Sequence, residues 1–336
     1  KAFSPIMKKI LFVLLALALV GDVEAQVKKY WIEFTDKNGS PYSLSNPSAY
    51  LSPRAIARRA KYGIPVQIND LPPNPAYIDS VVAKGVILLN RSRWFNAISI
   101  YAPDTTKLAA IRALPFVKSS KLITAIKPKN PKGKKFPPNK KPTGTSADTL
   151  NFGQSYGQLH QVRVDCLNNM GYRGKGKEIA VIDTRFGRAN TLAAFDSVRN
   201  NGQILGTHDF VWGGANVYDD TNNTDNHGEM VFSCMGGILA GQMMGDAVDA
   251  GFYLLRTEDA SSENVIEDDN WASAAEYADS AGADIISSSL GYDTFDDPAN
   301  NFTYADMNGR TAIASMAATV AAEKGMVVCV AAGNEG

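Results

Sequence analysis

The stretch that decides the fold is Lys177-Glu178-Ile179-Ala180-Val181-Ile182-Asp183-Thr184. Its apolar residues run on without alternation, so both faces of the strand they form must be covered. That pattern belongs to a parallel sheet with helices on both sides. Three runs downstream repeat it: Gly251-Phe252-Tyr253-Leu254-Leu255, then Asp284-Ile285-Ile286 leading into Ser287-Ser288-Ser289-Leu290-Gly291, then Met326-Val327-Val328-Cys329-Val330-Ala331-Ala332. Helical segments fit between the runs, over 229–240, 270–281 and 311–324. The fold class is therefore α/β, a parallel sheet with helices on both faces. In such sheets functional groups gather at the carboxyl ends of the strands. Asp183, Ser289-Leu290-Gly291 and Asn334 all fall there.

Working outward, residues 26–126 read as a separate unit. A strand-like start at 27–34, a helix over 53–62, apolar runs at 86–89 and 97–101 and a helical stretch at 106–114 suit a small α/β sandwich with two helices. The chain between the units, 127–142, holds seven Lys and five Pro without one acidic residue. Such a segment cannot bury a core, and 127–150 reads as an exposed, protease-accessible linker. A nucleic-acid patch calls for aromatic interleaving, and only Phe136 is present, so no nucleic-acid partner is expected.

Composition narrows the class. With 336 residues, 45% hydrophobic and 20% charged, the chain is ordinary for a globular protein, which excludes a collagen, a coiled coil or a largely disordered chain. The net charge of zero conceals two opposite halves: residues 1–150 carry 24 Lys and Arg against 8 Asp and Glu, and residues 151–336 carry 10 against 26. Cys166, Cys234 and Cys329 form no C-x-x-C pair and read as small buried hydrophobes. Met7-Lys8-Lys9, the apolar run 10–20 and Val23-Glu24-Ala25 have the layout of a signal peptide over 7–25, cut near Ala25. The run is shorter than the roughly 20 residues a membrane span needs. The expectation is a secreted or periplasmic protein without a membrane anchor.

Asp183, His227 in Asn226-His227-Gly228, and Asn334 in Ala331-Ala332-Gly333-Asn334-Glu335-Gly336 are each unremarkable alone. In this order, on this sheet, they resemble the subtilisin-like serine proteases, the subtilases, over about 151–336. Val181-Ile182-Asp183-Thr184 matches the aspartate motif, Asn226-His227-Gly228 the histidine motif, Ser289-Leu290-Gly291 the substrate-binding strand and the last stretch the oxyanion asparagine. The resemblance implies a serine endopeptidase made as a zymogen and acting on peptide or protein substrates. His227 would move the proton of a serine hydroxyl, Asp183 would hold its imidazole and Asn334 would donate to the oxyanion. Ser289, Leu290 and Gly291 would pair with an extended peptide, and Ala331, Ala332 and Gly333 would wall the primary specificity pocket. Residues 26–126 stand where subtilases carry their propeptide, an intramolecular inhibitor. Their charge, opposite to that of the peptidase half, would speed docking.

In subtilases the serine follows the oxyanion asparagine, so the sequence reads as stopping ahead of its nucleophile. Gly144-Thr145-Ser146 precedes Asp183, and Ser315-Met316-Ala317 falls inside a helix; neither takes that role. Two positions depart from the pattern: Arg185 stands for a glycine and Glu229 for a threonine. Glu229 suits a helix N-terminus electrostatically but would raise the histidine's pKa or obstruct packing. A peptide-binding protein on a catalytically dead subtilase scaffold is thus the rival reading. A nucleotide-binding domain is disfavoured, because Asp183 is followed by Thr-Arg-Phe-Gly and not by a Gly-rich phosphate loop. No cofactor is certain. The resemblance admits a structural calcium at Asp219-Asp220-Thr221-Asn222-Asn223-Thr224-Asp225, which lacks EF-hand spacing and reads first as a solvated loop. Glu258, Asp259, Glu263, Glu267, Asp268 and Asp269 read either as an acidic surface face or as the flank of a cleft favouring basic residues.

Overall fold

The computed structural model describes residues 28–125, 150–218 and 225–334. The signal-peptide reading, nearly all of the linker and all of the oxygen-rich stretch except Asp225 lie outside the described residues. So do Gly144-Thr145-Ser146 and the final two residues.

The first unit runs β1 (Lys28–Phe34), α1 (Pro53–Tyr62), α2 (Pro75–Val82), β2 (Ile87–Ser92), β3 (Ala97–Tyr101), α3 (Lys107–Arg112) and β4 (Val117–Ala125). Its sheet has the order β2-β3-β1-β4, and β1 pairs antiparallel with both neighbours. Alternation divides the sheet into two faces. Tyr30, Ile32, Phe34, Ile98 and Ile100 point towards α2 and α3 and form a closed core with Ile78, Val81, Leu108 and Ile111. Trp31, Ala97 and Ile123 point the other way, onto the second unit, where they meet Val265, Ile266 and Phe295. Helix α1 begins at Ser52, whose hydroxyl accepts from Ala55 N at 3.1 Å ahead of Pro53, and ends at Gly63 with φ +66°. Helix α2 is not among the elements expected from sequence. Pro72-Pro73-Asn74-Pro75 looks like loop punctuation, but Asn74 caps the helix and Pro75 occupies its first position, where a missing N–H costs nothing.

The second unit runs α4 (Tyr156–Gln161), α5 (Val164–Asn169), β5 (Glu178–Asp183), α6 (Asp196–Asn200), β6 (Ile204–Asp209), α7 (His227–Gly236), β7 (Ile238–Leu239), β8 (Met243–Met244), β9 (Gly251–Arg256), α8 (Ile266–Ala281), β10 (Ile285–Ser288), α9 (Ile313–Glu323) and β11 (Val327–Val330). Five strands form a parallel sheet in the order β11-β10-β5-β9-β6, as the apolar runs predict. Ile179 and Val181 pack with Phe195, Phe232 and Phe252 on one face, while Ala180 and Ile182 pack with Trp271, Ala275 and Ala317 on the other. After β5 the chain builds outward to β6 and β9, then crosses back to β10 and β11. This reversal opens a crevice at the carboxyl end of β5. Strand β6 escapes sequence reading because it is a half-buried edge containing Gly206, Thr207 and His208, with no apolar run.

Two further expectations are corrected. The three cysteines are exposed, not buried. Cys329 lies on edge strand β11, and Cys166 and Cys234 lie on the outer sides of α5 and α7. The acidic group is not a surface face either. Glu258, Glu267, Asp268 and Asp269 are almost wholly buried, and no residue of α8 is exposed.

Helix α8 is buried because the first unit covers the side turned away from the parallel sheet. Arg58 and Arg59 of α1 and Arg93 of the β2–β3 turn all donate to Asp279, Arg59 at 2.7 Å and Arg93 at 2.5 Å. Glu276 accepts from Ser92 Oγ at 2.6 Å and from the backbone N–H groups of Arg93 and Trp94. Lys324 reaches in the opposite direction, to Asp70 of the first unit at 3.2 Å, and Asp70 also receives Arg59 at 3.0 Å. Trp94 inserts into the core beside Trp271. Arg91-Ser92-Arg93-Trp94-Phe95 is thus a docking edge.

Candidate active site

Asp183 is the last residue of β5 and has no solvent exposure. Its backbone is held in the sheet, where its carbonyl accepts from Thr257 N at 2.9 Å. Its Oδ1 lies 2.7 Å from His227 Nδ1 and accepts from Thr184 N at 2.7 Å. Its Oδ2 has no hydrogen-bond partner among the described residues. His227 opens α7. Asp225 caps that helix by accepting from His227 N at 2.6 Å, and Thr184 Oγ1 accepts from Gly228 N at 2.9 Å. The helix can come this close only because residue 228 has no side chain: a Cβ there would sit 2.8 Å from the Thr184 carbonyl oxygen. The imidazole keeps 17% of its side-chain surface open to solvent.

Burial alone pushes the His227 imidazole down. The hydrogen bond and charge of Asp183, with the charges of Asp225 and Glu258, outweigh it and hold the ring above its ordinary value of 6.5. Burial raises the Asp183 carboxyl, and the neighbouring imidazole offsets part of that rise. Sequence reading placed Glu258 in an acidic group without singling it out. It lies just past the carboxyl end of β9, is buried, accepts from Tyr292 Oη at 2.6 Å, and contributes to both shifts.

The other site residues lie at the same end of the sheet. Ser289, Leu290 and Gly291 follow β10, with Leu290 buried and Gly291 open. Two contacts fix the end of that strand: Trp271 Nε1 donates to Ser288 Oγ at 2.9 Å, and Ala331 N donates to Ser288 O at 3.0 Å. Ala331, Ala332, Gly333 and Asn334 leave β11 as an exposed segment. Helix α9, which feeds β11, is capped by Asp268: its two oxygens accept from Ile313 N at 2.8 Å and Ala314 N at 2.9 Å. Burial lifts that carboxyl to about 6, against the pull of the two amides. Ser315-Met316-Ala317 lies inside α9, as expected. Glu258, Glu263 and Glu267 bring carboxylate oxygens within 4.8 Å of one another. Protein donors already serve this group, among them Asp259 N and Asn264 N on Glu267.

Glu229 neither obstructs packing nor drives the shift of the imidazole. It is buried and accepts from Arg188 N at 2.5 Å. Arg185 donates to Asp225 O at 3.1 Å and to Asn226 Oδ1 at 2.6 Å.

No helix among the described residues is long and apolar enough to cross a membrane. The subtilase family model matches residues 174–336, and that of the peptidase S8 propeptide domain of Bacteroidota matches residues 29–140. Among solved structures, the chain is similar to fervidolysin from Fervidobacterium pennivorans, a keratinolytic enzyme related to subtilisin. Identity is 17% and the TM-score 0.50, over 94% of this chain and 41% of that one. It is also similar to the epidermin leader peptide processing serine protease of Staphylococcus aureus, at 16% identity and a TM-score of 0.46, over 92% of this chain and 60% of that one. MycP1 from Mycobacterium smegmatis shares 21% identity, with a TM-score of 0.35, over 58% of this chain and 49% of that one. The chain thus spans less than two thirds of each of these proteins. No curated protein sequence matches it. The fervidolysin likeness agrees with the fold described above, and the two family matches fall on its two units. The chain thus carries a subtilase domain over 174–336, preceded by a peptidase S8 propeptide domain over 29–140.

Proposed function

We propose that this is the zymogen of a secreted or periplasmic serine endopeptidase, exported by the signal peptide at 7–25. Its nucleophile is a serine following Asn334. The observation that carries the reading is the 2.7 Å contact between His227 Nδ1 and the fully buried Asp183, at the carboxyl end of the central strand. With Nδ1 on Asp183, Nε2 is the ring nitrogen that takes the proton of the serine hydroxyl and later protonates the leaving amine. Asp183 keeps the ring in that tautomer and stabilises the imidazolium, which agrees with the upward shift of His227. The Asn334 amide donates to the oxyanion, a contribution of about 10²–10³ in turnover. Substrate peptide lies against Ser289, Leu290 and Gly291, with its side chain towards Ala331, Ala332 and Gly333. The propeptide domain, locked to α8 through Asp279 and Glu276, holds the enzyme inactive until processing in the 127–150 linker.

On an unfolded protein substrate and with the fold retained, Asp183→Asn should reduce kcat about 10⁴-fold and His227→Ala about 10⁶-fold. The acid limb of kcat/KM in the parent enzyme should lie above pH 6.5, since only the neutral ring accepts a proton and its pKa is raised. Hydrolysis that survives His227→Ala would overturn the assignment. A folded, processed parent protein without hydrolytic activity would return the rival reading of a peptide-binding scaffold.

A further inference from the structure

The geometry points to Arg185 and Glu229 as a coupled pair of positioning residues that clamp the loop after Asp183 onto the first turn of α7 and so set the Asp183–His227 contact. The inference rests on the proposed role of that contact and explains the two positions at which the chain departs from the subtilase pattern.

The two arms run in opposite directions. From the loop, the Arg185 guanidinium reaches the helix start, donating to Asp225 O at 3.1 Å and Asn226 Oδ1 at 2.6 Å. From the helix, Glu229 Oε2 reaches back to Arg188 N at 2.5 Å, and Oε1 stands 3.7 Å from the Arg188 guanidinium. Both arms close on one residue. Gly187 has φ +22°, and a Cβ there would lie 2.2 Å from Asn226 Oδ1 and 2.7 Å from Glu229 Oε2. Asn226 and Glu229 therefore pinch the same turn from two sides. Between the arms lie the Thr184–Gly228 and Asp183–His227 hydrogen bonds, so the segments 183–188 and 225–229 are tied at successive points.

Position rather than charge is the reason for these side chains. The shift of the imidazole traces to Asp183, Asp225 and Glu258, and Glu229 spends its carboxylate on a backbone amide. Charge-assisted bonds of this kind are shorter and stronger than neutral ones. A displacement of about 1 Å between reacting groups costs about 10²-fold in rate.

The test compares Arg185→Gly and Glu229→Thr, which restore the residues of the family pattern, with the conservative Arg185→Lys and Glu229→Gln. In the processed enzyme the first two should lower kcat about tenfold or more with KM changed less than about twofold. Their double variant should lose no more than the worse single one, because both act through the Gly187 turn. Glu229→Gln keeps an acceptor for Arg188 N and should stay within about threefold of the parent. A readout independent of hydrolysis is the nitrogen and proton resonances of His227 in the 336-residue chain. Arg185→Gly and Glu229→Thr should weaken the Nδ1 proton signal and move the imidazole pKa down towards 6.5. Folded variants with the parent imidazole titration and an unchanged Nδ1 signal would overturn the clamp, as would additive losses in the double variant. Because the resonances need no turnover, they decide the clamp even if hydrolysis proves not to depend on His227.

Discussion

Asp279→Ala should free the propeptide domain from the subtilase domain. One carboxylate with no solvent exposure receives Arg58, Arg59 and Arg93, all three buried and all three from the propeptide side. Removing it leaves three buried cations close together, with Asp70 remaining on Arg59 and Glu276 beside Arg93. Loss of a single partner from a buried ion pair costs about 3–5 kcal/mol, equivalent to about 10²–10⁴ in affinity between the two domains. The measurement is the dissociation constant of the processed but still associated domains. Co-elution at micromolar concentration should give way to separation, and inhibition should be lost in parallel. Raised salt should do far less, since ions screen buried pairs poorly and act mainly on encounter. An Asp279→Ala complex as tight as the parent would mean that the apolar seam of Trp31, Trp94 and Ile123 against α8 holds the domains without the charges.

The grip of the propeptide should also weaken as pH rises. Asp269 lies in the same seam, buried on α8, and neither of its carboxylate oxygens has a well-formed hydrogen bond. Burial is the main cause that raises it to about 7; the charges of Glu276 and Asp268 raise it further, and Ser99 and Asn90 across the seam offset part of the rise. Lys29 of β1 faces it as well, and burial lowers that ammonium from 10.5. When the propeptide leaves, water returns to α8 and the carboxyl falls back towards its ordinary 3.8. The complex therefore binds a proton that the separated domains release. Affinity is highest below about pH 4 and is lost as pH climbs through about 7. Glu276, also raised by burial, acts in the same direction. Lys29 opposes it only at alkaline pH. Between pH 5 and 7.5 the dissociation constant should increase about tenfold or more, and Asp269→Asn should flatten that dependence. A dissociation constant that is level across this range in the parent would contradict the role given to Asp269.

These effects also explain what was legible in the sequence. The parallel sheet could be read from β5, β9, β10 and β11 because each runs through a stretch of consecutive apolar residues, and β5 and β9, with neighbours on either side, are the most fully buried of them. Edge strand β6 is half-buried along most of its length and leaves no such trace. Asp183 and His227 each stand in a short motif, so both could be singled out in the sequence although they lie 44 residues apart before the fold brings them together. The site was illegible where a residue's role depends on an element distant in sequence. The acidic side of α8 looks like a surface face until the arginines of α1 and the β2–β3 turn, 183 to 221 residues away, are placed on it. Arg185 and Glu229 look like departures from a pattern until both are found closing on Gly187.

The most direct test of the whole account is fluorophosphonate labelling of the protein expressed from its full reading frame, with the modified peptide mapped by mass. The account predicts one labelled serine, on the carboxyl side of Asn334, and loss of the label in His227→Ala. A folded, processed protein that takes no label, or one whose label survives His227→Ala, would contradict it.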